Sequence, residues 1–426
     1  MEVDVFLLPA VVGGGWGDLD EVLVAGHRLA ADGHRLLLYR DPGRPLPREV
    51  DGPWDWPPLR RTGHLRPPRG RAALTVTPSW GVSAAPPRDE PFGRAGPWAA
   101  EAAAIERAYG PGRTLHVSLE EFARTLTSRE EEVERRREGG VPARSIRAAL
   151  GTEEFRRAAR RFHDAFRRFR GFDRPNVAHL WATFRPSLAF GREYPEAIQC
   201  GPLWPIERPR AVRAPPGAAG VAGTAATLVW HASPASAERI APEVDRAMAS
   251  LGRPARAIVR TPRPWRLELA GRRWAIHVGP TRAGPWRRAF DRADLRIVTG
   301  SRSFLEALVH GGPFLYFNGL VGAGRRARRH RPEKIDRWLS LGLDGPVGRA
   351  AVADFARGRR VAATVAGVLS RPACAPPPPR PPSAWVRGFP AGLEDAGTLV
   401  RALARALAEG ADARALVAET RSRSPR

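Results

Sequence analysis

"LRIVTGSRSFLEALVHGGPFLYFNG" (Leu295–Gly319) changes its hydrophobic period twice in 25 residues. Leu295–Val298 is an apolar run of strand length, and Thr299–Ser303 breaks it with small polar residues. Phe304, Leu305 and Leu308 recur at helical spacing, Gly311–Gly312 supply the stop, and Phe314–Phe317 is apolar again. Strand, abrupt turn, helix, glycine stop and strand make one βαβ unit, the repeating piece of a parallel sheet. The turn also poses a chemical question. Gly300 lets backbone approach a ligand, Ser301 and Ser303 add hydroxyls, and Glu306 follows one helical turn into the helix. A helix N-terminus presents unpaired N–H groups and a positive dipole end, which together hold phosphate. A carboxylate one turn further in suits the two hydroxyls of a ribose. The alternative is local: Ser303-x-x-Glu306 also matches a capping box.

The same alternation runs outward from this stretch. Val3–Val12 is apolar, "GGGWGD" (Gly13–Asp18) is a glycine turn, the next residues up to Ala30 have helical spacing, and "RLLLYR" (Arg35–Arg40) is a strand. Ala73–Trp80 and Thr114–Ser118 read as strands, and 98–109 as a helix. Residues 119–139 and 143–171 read as long charged helices, followed by short strands at 176–181 and 196–205. Residues 207–224, "ERPRAVRAPPGAAGVAGT", have no buried periodicity and read as a linker. Strands at 226–233, 255–260 and 273–280 then alternate with helices at 235–251 and 284–291. Residues 330–341 and 349–370 read as helices, "CAPPPPRPPSAW" (Cys374–Trp385) as a polyproline connector, and 391–408 as a last amphipathic helix. The expected fold is α/β: two Rossmann-like, doubly wound domains across a cleft, with the C-terminal helix packing back. The expected boundaries are 1–206, a linker at 207–224, a second domain at 225–375, the connector and helix at 376–418, and a disordered tail at 419–426.

The chain has 426 residues and a net charge of +25, and Lys334 is its only lysine. Such a basic surface attracts phosphates, anionic lipid and nucleic acid alike. The basic residues are dispersed and no recognised nucleic-acid module occurs, so no specific nucleic acid is expected. Two cysteines are too few for a disulfide framework or a zinc site. No apolar run reaches membrane-spanning length. The N-terminal residues lack a basic n-region and read as mature fold, so the expected location is cytoplasmic, with contact at the inner membrane face open.

Ligands of open α/β sheets sit at the carboxyl ends of strands. The candidates there are Gly14, Gly15 and Asp18 in the first turn, His231 and Ser233 after the first strand of the second half, and the Gly300–Glu306 stretch. Asp18 suits a general base for an acceptor hydroxyl, and equally an N-cap. His231 suits a phosphate contact, and equally a satisfied structural histidine. The run "RRARRHR" (Arg325–Arg331) suits a diphosphate clamp, an anionic lipid surface or a solvated face.

The order of features in "ADLRIVTGSRSFLEALVHGGPFLYF" (Ala293–Phe317) resembles the donor-nucleotide signature of GT-B glycosyltransferases, in particular the UDP-glycosyltransferases and the lipid-linked N-acetylglucosamine transferases. "GPL" (Gly201–Leu203) resembles the segment that closes the family's N-terminal domain. "IHVGP" (Ile276–Pro280) stands where the family presents backbone to the base. The resemblance implies that Glu306 holds the ribose, that Gly300, Ser301 and Ser303 face the diphosphate, and that Val278 meets the base. It implies a nucleotide-sugar donor, UDP-linked, with no metal and no further cofactor, and a small-molecule or lipid-linked acceptor. The chain departs from the family in two places. The first loop carries Asp18 and no histidine, and Asn318 is the nearest polar substitute for the pair that grips the donor sugar. A nucleotide-sugar epimerase of the same fold needs further carboxylates, for which Asp18, Asp20 and Glu120 are the candidates in the first half. A non-catalytic binding protein is the remaining alternative.

Overall fold

The computed structural model describes residues 3–9, 17–39, 70–78, 98–121, 125–184, 186–204, 225–231, 234–260, 275–279, 283–299, 301–317, 339, 347–370 and 393–424. The linker at 207–224, the glycines of the first turn, the proline-rich connector and the basic run at 325–331 lie outside them. The chain divides into two compact units. One takes in Asp18–Ile206 with Met1–Val12 and Pro390–Arg426, and the other takes in Glu207–Phe389.

In the first unit, β1 (Val3–Leu7), β2 (Arg35–Leu38), β3 (Ala72–Pro78), β4 (Thr114–Glu121), β5 (Val177–Ala182) and β6 (Ala197–Cys200) form a six-stranded sheet among the described residues, in the order β2-β1-β3-β4-β5-β6. Every pairing is parallel. That explains why β1, β3 and β5 are buried at every position: helices cover both faces of a parallel sheet. Those helices are α1 (Gly17–Ala31), α2 (Ala99–Tyr109), α3 (Ser128–Glu138), α4 (Ala143–Ala149), α5 (Glu153–Arg170) and α6 (Leu188–Glu193). Phe6, Leu37, Tyr39, Trp98 and Ile105 fill one core cluster, and Phe172, Trp181, Phe190 and Tyr194 fill another.

The second unit contains β7 (Ala226–His231), α7 (Pro234–Ala249), β8 (Ala255–Arg260), β9 (Ala275–Gly279), α8 (Ala283–Arg292), β10 (Leu295–Val298), α9 (Ser301–His310) and β11 (Phe314–Tyr316), then α10 (Arg349–Ala356) and α11 (Val361–Leu369). Its five described strands run parallel in the order β11-β10-β7-β8-β9. The chain steps outward from β7 to β9, then returns to β10 on the opposite side of β7. The topological switch point therefore lies between β7 and β10, the place where open α/β sheets bind ligands.

Two further helices, α12 (Ala396–Ala408) and α13 (Ala413–Arg423), complete the first unit. The Gly201 N–H donates to Glu394 O at 2.8 Å, and the Ala396 N–H donates to Gly201 O at 3.0 Å. The "GPL" segment is thus the strip along which the C-terminal chain rejoins this unit. The expected disordered tail is corrected: α13 runs to Arg423, with Leu416 and Val417 buried, and the Gln199 N–H donates to Ser424 Oγ at 2.9 Å. Two more expectations are corrected. Residues 119–121 end β4 instead of opening a helix, and α3 starts only after its Thr127 cap. The helix expected over 349–370 breaks at Gly358, which has φ +69°, and Arg360, which has φ +48°.

Candidate functional site

The carboxyl ends of β7 and β10 are tied together, because Thr299 Oγ1 donates to His231 O at 2.9 Å. The α9 helix starts at Ser301, three residues past the end of β10. Its core face is fixed by Phe304, Leu305, Ala307 and Leu308, all buried. The Phe304 ring packs edge-on against Phe314 and Tyr316 of β11 at 5.4 and 5.8 Å. That packing sets the rotation of the helix. Ser303 is buried at its start, and Glu306 is only partly buried, on the flank the core leaves open.

Helix registration removes the capping-box reading of this pair. An N-cap residue precedes the helix, and its partner carboxylate stands three residues on. Ser303 is already the third helical residue of α9, so Glu306 is the sixth. A carboxylate there is beyond reach of the N-cap backbone. Asp18 is treated the same way by the fold: it is the second residue of α1, inside the first turn and not ahead of it. Its negative charge suits the helix dipole there.

At the next strand, His231 stands directly opposite Arg260 in register. The Arg260 guanidinium lies over the Trp286 ring at 5.6 Å, and the His231 ring is 5.9 Å from the same tryptophan. Burial, with the Arg260 charge beside it, pushes the His231 pKa down to about 4. The imidazole is therefore neutral at physiological pH, and the fixed cation of this strand end is Arg260. Sequence reasoning missed Arg260 and Trp286. The only signal was an arginine closing an apolar strand, which is a common pattern.

His231 ends β7, and Ser303 and Glu306 lie on the helix that starts at the carboxyl edge of the neighbouring β10. Val278 belongs to the same edge, as the fourth residue of β9, paired with Val259 of β8. Ser301 opens α9. Gly14, Gly15, Ser233, Gly300 and Asn318 lie outside the described residues. Glu120, one of the three carboxylates the epimerase alternative would call on, is engaged: Arg170 Nη1 donates to its Oε2 at 2.6 Å, and the same guanidinium lies over the Trp181 ring at 5.0 Å. Among the described residues there is no group of three or more His, Cys, Asp or Glu that could hold a metal, and no helix long and apolar enough to cross a membrane.

No protein-family model matches the chain, and no curated protein sequence does. Solved structures similar to it include the glycosyltransferase of kitacinnamycin, at 15% identity and TM-score 0.40, covering 100% of this chain and 99% of that one. UGT89C1 of Arabidopsis thaliana is similar at 13% identity and TM-score 0.42, again covering 100% and 99%. A protein of Listeria monocytogenes assigned as a UDP-N-acetylglucosamine 2-epimerase is similar at 10% identity and TM-score 0.37, covering 95% of this chain and 96% of that one.

Proposed function

We propose that the chain is a glycosyltransferase of the GT-B type, which moves a sugar from a nucleoside-diphosphate donor, UDP-linked, to a hydroxyl acceptor. The observation that carries this reading is the position of Glu306. It is a carboxylate on the open flank of a helix that starts at a topological switch point, and helix capping does not account for it. Ribose hydroxyls donate to that carboxylate. The first N–H groups of α9, with Ser301 and Ser303, face the diphosphate and take up the charge that develops as it leaves. This leaving-group stabilisation needs no metal. The acceptor oxygen forms its bond to the anomeric carbon as the bond to the diphosphate oxygen breaks, and the hydroxyl proton passes to a base, which we assign to Asp18. Val278 presents backbone to the base of the nucleotide. We assign the remaining donor contacts to His231, Ser233, Gly14, Gly15, Gly300 and Asn318. A cytoplasmic location fits a UDP-sugar donor. A small-molecule acceptor and a lipid-linked one at the inner membrane face both fit the basic surface.

Calorimetry with UDP, UMP and uridine tests the reading. Wild-type protein binds UDP, and Glu306→Ala weakens UDP and uridine alike by more than about tenfold, the worth of a charge-assisted hydrogen bond. Asp18→Asn keeps UDP affinity and loses transfer. A wild-type protein that binds none of the three ligands would sink the proposal.

A further inference from the structure

A second site lies in the first unit, away from the sheet edge just described. A groove of about 470 Å³ runs between the start of α3, the turn joining α4 to α5, and one face of α5. Its volume falls in the range of ligand sites. Arg129, Arg156 and Arg160 line it, no carboxylate does, and Leu150, Phe155 and Ala159 supply apolar surface. The three cations are also pre-arranged. Arg156 Nη2 donates to Gly151 O at 2.7 Å and its Nη1 to Glu153 Oε2 at 3.2 Å, Arg160 Nη2 donates to Glu153 Oε1 at 2.6 Å, and Arg129 Nη2 reaches Leu150 O at 3.4 Å. Arg156 and Arg160 stand at i and i+4 on α5, so both reach the same ligand. Each guanidinium carries five donors, and these tethers occupy a minority of them. The Arg156 and Arg160 side chains remain 59% and 64% exposed.

Guanidinium forks match phosphate oxygens in shape and charge, and they lose little freedom when already held. We infer that this groove binds a phosphate ester that carries an apolar substituent, with the phosphate on Arg129, Arg156 and Arg160 and the substituent against Leu150, Phe155 and Ala159. Two sources supply that chemistry: a soluble phosphate ester and a phospholipid headgroup.

Arg157 makes the comparison clean. It lies on the same helix, bonds the same Glu153 at 3.3 Å, is 66% exposed, and does not line the groove. The probes are octyl phosphate, inorganic phosphate and octyl glucoside in calorimetry, and phosphatidylglycerol against phosphatidylcholine vesicles in co-sedimentation. Octyl phosphate should bind about tenfold or more tightly than inorganic phosphate, with octyl glucoside silent. The double variant Arg156→Gln/Arg160→Gln should lose that binding, and Arg157→Gln should keep it, with all three proteins melting alike. Saturable octyl phosphate binding without vesicle binding identifies a soluble ester as the source. Phosphatidylglycerol binding with the same dependence on Arg156 and Arg160 identifies a headgroup. Absence of binding to octyl phosphate and to phosphatidylglycerol overturns the inference. So does an equal loss in Arg157→Gln, which would mark diffuse charge attraction.

Discussion

Thr127-x-x-Glu130 and Ser303-x-x-Glu306 share one local pattern and differ in what the backbone does with it. At Thr127 the pattern is a capping box: the Glu130 N–H donates to Thr127 Oγ1 at 3.3 Å, and the Thr127 N–H donates to Glu130 Oε2 at 2.7 Å. At Ser303 the helix has already begun, so Glu306 is left for another partner. Thr127→Ala should therefore cost about 1 kcal/mol, whereas Glu306→Gln should stay within about 0.5 kcal/mol. Urea midpoints of the two variants check this, and a capping-sized loss in Glu306→Gln would contradict it. The two glycines that end α9 also divide their work. Gly311 adopts φ +73° and turns the chain. Gly312 leaves room for Arg296, a fully buried cation whose Nη2 donates to Asp291 O at 3.1 Å. A Cβ on Gly312 would stand 2.6 Å from Arg296 Nη1 and 3.1 Å from His310 Nδ1. Gly312→Ala should therefore destabilise by about 1–3 kcal/mol, as overpacking does, read as a lower urea midpoint at unchanged slope.

Among the elements, α12 is held by its first residues. Asp395 Oδ1 accepts from the Gly397 and Thr398 N–H groups at 2.9 and 3.1 Å, and Arg28 Nη1 of α1 donates to it at 2.8 Å. Arg28 also donates to Trp204 O at 2.9 Å, so one guanidinium joins the start of α12, α1 and the segment after β6. Asp395→Asn keeps an N-cap acceptor and removes only a part-exposed ion pair, for a cost of about 0–1 kcal/mol. Asp395→Ala removes cap and pair together and should cost about 2 kcal/mol. Equal thermal shifts for the two variants would show that the cap contributes nothing. Apolar period made the strands and α9 legible in the sequence, since a strand buried on both faces has few other readings. Polar caps were harder to see. Asp412 caps α13 through the Arg414 and Ala415 N–H groups at 2.9 and 3.0 Å, yet its helix reads as an arginine-rich tail because only Ala413, Leu416 and Val417 face the core. Gly358 was equally visible as a stop, but the alanine-rich pattern on both sides of it masked the break. At the site, the α9 residues were legible because they are consecutive. Arg260 and Trp286 were not, because the packing of α8 against the sheet brings them together from 26 positions apart.

Across the described residues, imidazoles withdrawn from solvent shape the response to acid. His116 and His179 lie in the first unit at 0% and 2% exposure, and His231 lies in the second. Burial lowers all three pKa values, to about 3 for His179 and about 4 for His231. Arg174, Arg421 and Arg260 add repulsion at the three rings in turn, while Glu106, 3.2 Å from His116 Nε2, opposes it. In the unfolded chain a histidine titrates near 6.5. Below that value the unfolded chain binds protons that the folded chain refuses, so the stability present at neutral pH is lost as pH falls. For His179 the loss reaches about 1.4 kcal/mol per pH unit and levels off only as the folded ring itself protonates. Glu106, held down to about 2 chiefly by its hydrogen bond with His116, adds a loss of the same sign at still lower pH, once unfolded glutamates begin to protonate. Thermal midpoints should therefore be level from about pH 7 to 8 and fall steadily from about pH 6.5 to 4. His179→Gln replaces the ring with a neutral amide that can still donate to Gly171 O, the present partner of Nε2 at 3.3 Å. Its midpoint should fall less steeply over that interval than the wild type's, whatever its value at pH 7. Parallel slopes for the two proteins would mean that His179 takes up its proton in the folded state.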